Sequence, residues 1–332
     1  MIKKYDVFGI GNALVDSVCL VTDKFLEDNK IEKGLMTLVD DQKQMSIIDK
    51  IKGSEPFIQS GGSVTNSIYT LSQLGGSGYL SFLISDDEYG KLFLEDIRKS
   101  GINTGDVNFY IKPGMTGSCL VLTTPDAERT MNTCLAVSSE YSSDNINFED
   151  LALSKYLYIE GYLVTSEIAM EAIEKSILFS RKNDVKIALT FSDLSMVKYF
   201  RKNFDKILQE KIDLIFCNKD EAETFTGEKN FKKCCDKMLS YSDLVVITMG
   251  SEGSVILSKS HDLIKIQPFK ANAVDTVGAG DTFAGGFLYG INNELDYEES
   301  GKLASALSSK VVTKLGPRLE KNIIDNIKHS MR

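Results

Sequence analysis

Residues 275–290 read DTVGAGDTFAGGFLYG, a glycine turn running straight into an apolar helix. The turn is Val277-Gly278-Ala279-Gly280, and the helix begins near Asp281. Glycines let backbone N–H groups crowd together, and a helix N-terminus adds about half a positive charge to them. Together they suit an anion, phosphate above all. The carboxylate of Asp281 stands where that anion should go. Two readings stay open on these residues alone. Asp281 is an ordinary helix cap, since Asp caps helices well, or it is a base held beside a pocket that receives phosphoryl charge.

Upstream of this stretch the chain alternates between two periods. Short apolar runs near 155–160, 185–191, 212–217 and 243–248 read as strands, separated by helical patterns near 166–181, 194–209 and 219–240. A hairpin at 253–266 precedes the glycine turn, and helices at 281–292, 296–314 and 320–330 end the chain. Such alternation implies an α/β fold with a parallel sheet and helices on both faces.

The N-terminal run at residues 5–10, YDVFGI, is a buried strand by length and flanks. The following Gly9-Ile10-Gly11-Asn12-Ala13-Leu14 begins like a dinucleotide fingerprint. Leu14 replaces the third glycine, and residues 15–21 alternate as a strand instead of opening a helix, so that reading fails. Asn12 and Asp16 remain as a polar pair at a strand mouth, the edge where parallel sheets bind ligands. Turn chemistry for Asn12 and a solvated Asp16 are the competing account.

A strand at 34–40 and a capped helix from Asp41 to about Lys52 come next. A second glycine turn, Ser60-Gly61-Gly62-Ser63, enters a helix reaching Leu74 and lacks the lysine of a P-loop. Ser63 and Asn66 suit a neutral, hydroxyl-rich ligand such as a sugar, while Gly61 and Gly62 could equally serve tight helix–strand packing. After a strand at 79–84, a helix at 87–99 and a strand at 107–111, segments 118–123 and 130–135 alternate around Pro125-Asp126-Ala127-Glu128-Arg129. This hairpin, with segments 13–22 and 34–40, can form a small separate sheet. Later strands exit at Asn218 and Thr248. Asn218 and Glu221 share one face at a helix start, although first-turn acids also stabilise a helix by themselves.

Composition narrows the function. A formal net charge of −9 lacks the basic footprint of a nucleic-acid binder. No run approaches the ~18 apolar residues of a membrane span, and no signal-type segment opens the chain, so the sequence reads as cytoplasmic. The six cysteines form no C-x-x-C pair and read as free thiols. With two histidines, His261 and His329, zinc sites and Ser-His-Asp chemistry are poorly supplied.

Asn12…Asp16, Gly61-Gly62-Ser63-x-x-Asn66, Asn218-x-x-Glu221, Thr248-x-Gly250-x-x-Gly253 and Asp275-Thr-Val-Gly-Ala-Gly-Asp281 occur in the order seen in PfkB/ribokinase-like carbohydrate kinases. The resemblance runs along the whole chain. GNALVD, GGSVTNS and TGSCLVL followed by ERTMNTCLAVS are most similar to the adenosine kinase branch. The resemblance implies one Rossmann-like (ribokinase-like) domain over residues 1–332, with a β-sheet lid built from segments about 13–22, 34–40 and 116–135. It implies Asp281 as base and the N–H groups of Gly278, Ala279 and Gly280 as an anion hole. Arg129 would approach the phosphates from the lid, and Asp16 would hold sugar hydroxyls. Asn12, Gly61, Gly62, Ser63 and Asn66 would line the acceptor pocket. Thr248, Gly250, Gly253 and Ser305 would run along the nucleotide, Ser305 replacing the asparagine of ribokinases. Asn218 and Glu221 would order magnesium and its waters. Asp275, the Val277 carbonyl and backbone near 311–316 match a monovalent-cation site of some relatives, which makes potassium a candidate beside ATP and Mg2+.

The implied reaction is ATP-dependent phosphorylation of a primary hydroxyl on a nucleoside or sugar, first of all the 5′-hydroxyl of adenosine, giving AMP. The alternative is a kinase of ribose, fructose or a related hexose, with Glu160 adding a polar contact. A catalytically silent nucleoside- or sugar-binding sensor is the reading from another class. Partners are then small molecules, with no nucleic acid or membrane, for a monomer or a homodimer through the lid. Adenosine kinases carry an aromatic after the strand near 185–191, and Thr190-Phe191-Ser192-Asp193 lacks it at the matching place, leaving Phe191 or Met36 as substitutes. Asp281, beside a helix N-terminus, is expected to stay ionised with a low pKa.

Overall fold

The computed structural model describes residues 2–51 and 56–331. In chain order the first strands are β1 (Tyr5–Ile10), β2 (Leu14–Leu20), β3 (Met36–Leu38), β4 (Phe57–Ser60) and β5 (Gly78–Ser81). Next come β6 (Gly117–Thr123), β7 (Arg129–Cys134), β8 (Ser154–Ile159) and β9 (Lys186–Thr190). The last are β10 (Ile212–Asn218), β11 (Ser242–Thr248), β12 (Ser254–Ser258) and β13 (His261–Ile266).

Eight of them form one sheet, ordered β13-β12-β11-β10-β9-β8-β1-β5. Strands β5, β1, β8, β9, β10 and β11 run parallel, and the β12–β13 hairpin adds an antiparallel edge. The apolar runs behave as strands buried on both faces should. Phe8, Ile10, Leu157, Ile159, Ile187 and Leu189 point into one core cluster. Val7, Tyr156, Tyr158, Ala188, Leu214 and Val246 point into the other. Helix Glu167–Lys182 contributes Ile173 and Ile177 to the first core. Helices Ser63–Gln73, Ala279–Asn292 and Tyr297–Val311 close the second. At about 1.5–3 kcal/mol for each fully buried large aliphatic side chain, these two layers dominate the stability.

The remaining five strands form a second sheet, ordered β3-β7-β6-β2-β4. The segments near 13–22 and 116–135 join it as the alternation implies. Strand β3 is shorter than 34–40, and β4 is an additional strand: Phe57–Ser60 carries no clear alternation and pairs with β2 at the sheet edge. Other boundaries also moved. Residues 107–111 are not a strand; Val107–Tyr110 is a short 3-10 helix, started by Asp106 accepting from the Asn108 N–H, and only Ile111 bridges to Ile84. The helical stretch 194–209 is two helices, Leu194–Tyr199 and Arg201–Leu208, and 219–240 is also two, Lys219–Thr226 and Phe231–Met238. Gly227, left-handed at φ 71°, ends the first of the latter pair. Helix Asp41–Ile48 stops short of Lys52, which lies outside the described residues.

All six cysteines are buried and unbridged. Among the described residues, no helix is long and apolar enough to cross a membrane, and no group of three or more His, Cys, Asp or Glu side chains is placed to hold a metal ion.

Candidate active site

A cavity of about 920 Å³ opens between the two sheets at the carboxyl edge of the large one. Its volume lies near the upper end for small-molecule sites, with room for two ligands. Asn12 after β1, Thr190 ending β9, Asn218 ending β10 and Thr248 ending β11 all line it. Strand topology alone brings these ends together.

The small sheet forms the opposite wall. In β2, Leu14 and Asp16 lie two residues apart and so share a face, and both meet the cavity. Asp16 pairs in register with Cys119, which pairs with Thr133, so a row of three polar or thiol side chains crosses the sheet. Leu14, Met36, Leu38, Val121, Met131 and Leu135 surround that row with apolar surface.

Asp281 is the third residue of helix Ala279–Asn292. Its Oδ1 accepts from Ser63 Oγ at 2.6 Å and its Oδ2 from Asn66 Nδ2 at 3.2 Å. The two helices can approach because residue 285 is glycine: a Cβ there would lie 2.2 Å from the Ser67 carbonyl oxygen. Burial pushes the Asp281 pKa up, opposed by the Ser63 and Asn66 hydrogen bonds and by the charges of Arg129 and Arg318. The low pKa expected from the helix N-terminus is therefore corrected: loss of water around the buried carboxylate is the largest influence on it.

The turn before the helix is held from behind. Asp275, fully buried, accepts from the Val277 N–H at 3.0 Å and from the Gly316 N–H at 2.9 Å. Gly278 is left-handed at φ 72°, and a Cβ there would meet Pro317 at 2.3 Å. The N–H of Ala279 turns back to the Thr276 carbonyl at 3.3 Å. Among the described residues, the N–H groups of Gly278, Gly280 and Asp281 have no acceptor. The open donors are thus not the expected trio, because Ala279 is engaged and Asp281 takes its place.

Arg129, opening β7, donates from Nη1 to the Thr276 carbonyl at 3.0 Å, and Thr276 Oγ1 donates to the Ala127 carbonyl at 3.2 Å. The hairpin tip is clasped to the glycine turn, with no carboxylate within ion-pair distance of Arg129 among the described residues. Open N–H groups beside a guanidinium without a carboxylate partner fit the phosphates of a nucleotide.

Asn218 and Glu221 form a capping box. Glu221 Oε2 accepts from the Asn218 N–H, Oε1 from Asn218 Nδ2, and Asn218 Oδ1 from the Glu221 N–H, each at 2.8 Å. Burial pushes the Glu221 pKa up to about 7. Both residues still line the cavity, as do Gly62, Ser63, Asn66, Gly250, Gly253 and Ser305. Gly61 and Asp275 do not. Gly61 supports Asp16 from behind: a Cβ there would overlap its carboxylate at 2.1 Å. Asp16 is buried, accepts no hydrogen bond among the described residues, and is pushed up to about pKa 7 by that burial.

Two substitutes fail. Glu160 is fully buried and committed: Oε1 accepts from the Asn12 N–H and Nδ2 at 3.1 and 3.0 Å, and Oε2 from the Val64 N–H at 3.0 Å. It pins three elements together and offers nothing to a sugar. Phe191 is fully buried against Phe204 and Phe225, with ring centroids 5.0 and 4.9 Å away, and faces away from the cavity. Met36 does line it. Sequence reasoning missed Tyr162, which lines the cavity just after β8, and Arg318, buried behind Asn66. A signal for Tyr162 was its place beside the end of a parallel strand; Arg318 has none short of tertiary structure.

A parallel α/β sheet with a cavity at its strand ends, lined by open N–H groups and an arginine, fits the class of ATP-dependent kinases of sugars and nucleosides. The pfkB family carbohydrate kinase model matches residues 35–323, and the chain belongs to that family. Adenosine kinase from Sinorhizobium meliloti superposes at a TM-score of 0.93 with 29% identity, covering 98% of this chain and 99% of that one. Adenosine kinase 2 of Arabidopsis thaliana is 26% identical, over 95% of this chain and 96% of its own length. A 5-dehydro-2-deoxygluconokinase of Bacillus licheniformis is 27% identical, over 76% of this chain and 81% of its own length. Identity alone therefore leaves the acceptor open between nucleoside and sugar.

Proposed function

We propose that this kinase phosphorylates the 5′-hydroxyl of a nucleoside, adenosine first, giving AMP. The observation that carries this reading is the acceptor wall: an unpartnered buried carboxylate, Asp16, set among Leu14, Met36, Leu38, Val121 and Tyr162. A vicinal diol needs two acceptors in one place, which a carboxylate supplies. A nucleobase needs apolar surface and an aromatic face, which the aliphatic wall and Tyr162 supply. A free hexose needs polar partners around its ring, and Glu160 is already committed.

ATP with magnesium supplies the phosphoryl group. Asp281, held by Ser63 and Asn66, takes the proton of the acceptor hydroxyl. Its raised pKa makes it a better base than a carboxylate of ordinary acidity, and general bases contribute about 10²–10⁴-fold. The open N–H groups of Gly278, Gly280 and Asp281 stabilise charge on the transferred group, with Arg129 closing from the hairpin. Asn218 and Glu221 would order magnesium and its waters, through the Glu221 lone pairs left beyond the two bonds from Asn218. Asn12, Gly62, Ser63 and Asn66 shape the acceptor side, with Gly61 behind it. Thr248, Gly250, Gly253 and Ser305 form the nucleotide side. Asp275 and the Val277 carbonyl are where a monovalent cation would sit, which a comparison of KCl with NaCl tests.

The deciding experiment is a panel of adenosine, ribose and fructose with ATP and magnesium, read as ADP release. Turnover with adenosine at the lowest KM is the expected result. Turnover with a free sugar and none with adenosine overturns the assignment and favours the sugar-kinase reading.

A further inference from the structure

The segment Gly316-Pro317-Arg318 joins the last two helices and lies against the glycine turn. Gly316 donates to Asp275, Pro317 fills the space left by the missing side chain of Gly278, and the Pro317 carbonyl accepts from Thr282 Oγ1 at 3.4 Å. Arg318 then reaches the acceptor side of the site. It is buried, and its Nε donates to Asn66 Oδ1 at 2.9 Å. Its Nη1 pairs with Asp96 on helix Glu88–Lys99, and its guanidinium lies 4.8 Å from the centre of the Tyr69 ring. Asn66 Nδ2 completes the chain by donating to Asp281 Oδ2.

We propose that Arg318 is a positioning residue for phosphoryl transfer, locking the Asn66 amide so that it donates to Asp281 and holding a buried positive charge behind that carboxylate. This rests on the reading of Asp281 as base. An amide has a donor end and an acceptor end of nearly equal shape, and its partners decide which end faces where. A guanidinium only donates, so Oδ1 faces Arg318 and Nδ2 faces Asp281. The reversed amide would set oxygen against carboxylate and NH2 against guanidinium, two repulsive contacts at once. Asp96 and Tyr69 fix the guanidinium itself, so the amide is held by a rigid partner.

The charge acts on the same carboxylate. Facing Asp281 are Ser63 and Asn66 from one helix, Arg129 from the hairpin, Arg318, and the like-charged or protonatable Asp16, Glu160, Tyr158 and Tyr162. Arg129 and Arg318 are the two cations that lower its proton affinity. Arg318 is also the cation that opposes the burial of Asp16. Removing it raises the proton affinity of Asp281, so the acid limb of activity moves to higher pH. Removing Asp96 leaves the guanidinium without its counter-charge, so the limb moves to lower pH.

The test is kcat against pH at saturating acceptor, which sets aside the KM dependence on Asp16, for Arg318→Met, Arg318→Lys and Asp96→Asn, with ATP, magnesium and adenosine, or the sugar that the panel selects. Arg318→Met is expected to lose about 10-fold or more of kcat and to shift the acid limb up by about one pH unit, the low end for a nearby opposite charge. Arg318→Lys keeps the charge but not the fork, so its limb stays near wild type while kcat remains low. Asp96→Asn shifts the limb the other way, a result that simple loosening of the fold does not give. If Arg318→Met fails to fold, the direction of the Asp96→Asn shift decides alone. Limbs of Arg318→Met and Asp96→Asn that superimpose on wild type overturn the role of Arg318. Wild-type turnover in Asp281→Asn instead overturns the base reading, and the role of Arg318 with it.

Discussion

Gly280→Ala separates stability from catalysis at a single methyl group. Gly280 is the second residue of helix Ala279–Asn292, exposed, and not in the left-handed region. A Cβ built on it meets no protein atom within 4 Å. Nothing in the protein therefore resists alanine, and the helix gains: Gly to Ala is worth about 0.5–1 kcal/mol in a helix interior and somewhat less in a first turn. For a chain of this size that is a rise in Tm of about 1 °C. The same methyl stands over an open N–H at the point where the transferred phosphoryl is proposed to lie. Deleting an anion-hole donor costs about 10²–10³ in kcat. A methyl shields the donor without deleting it, so the expected loss is about 10–100-fold. A thermal melt and an ADP-release assay on one preparation read both numbers. A variant that melts higher and turns over at the wild-type rate refutes the placement of the phosphoryl group at these N–H groups. A variant that melts lower refutes the claim that residue 280 is free to carry a side chain.

Three further outcomes follow from the site. Asp281→Asn should lower kcat by about 10²–10⁴-fold while adenosine binding, followed by calorimetry, stays within a few-fold of wild type; loss of binding instead would make Asp281 an acceptor contact. Asp16 must be ionised to accept from both hydroxyls of a diol, and burial lifts its pKa to about 7, so KM for the acceptor should rise as pH falls below about 7. A KM flat from pH 8 to 6, or unchanged by Asp16→Asn, removes Asp16 from diol recognition. Glu160→Gln keeps an oxygen for Asn12 but turns an NH2 toward the Val64 N–H, leaving a buried donor without an acceptor. That should cost about 1–3 kcal/mol of stability, read by urea denaturation, and an unchanged midpoint would mean that the brace is not held by this carboxylate.

Periodicity and turn chemistry are local, and what they encode was legible along the chain. The strand at Tyr5–Ile10, the alternation from β8 to β11 and the glycine turn before Ala279–Asn292 stand close to where the sequence places them. Most of the site residues expected from the sequence line the cavity, and they were legible because glycine turns and strand ends carry their own signatures. Their partners were not. Ser63 and Asn66 meet Asp281 across 218 and 215 residues of chain, and Arg318 meets Asn66 across 252. No local pattern reports contacts of that span.

Where prediction and structure part, packing overrode pattern. Phe191 had the right chemistry for a nucleobase, but its backbone turns the ring into the core with Phe204 and Phe225. Glu160 had the right charge for a sugar, yet three amide donors had already claimed it. Phe57–Ser60 becomes a strand because the β2 edge offers it hydrogen bonds, not because its own residues alternate. The sequence by itself determined a parallel α/β sheet, a glycine turn at a helix start and a carboxylate within it. Tertiary structure alone decided which donors stay open, which acids keep free oxygens and which aromatic lines the cavity, because each depends on desolvation and on neighbours hundreds of residues away.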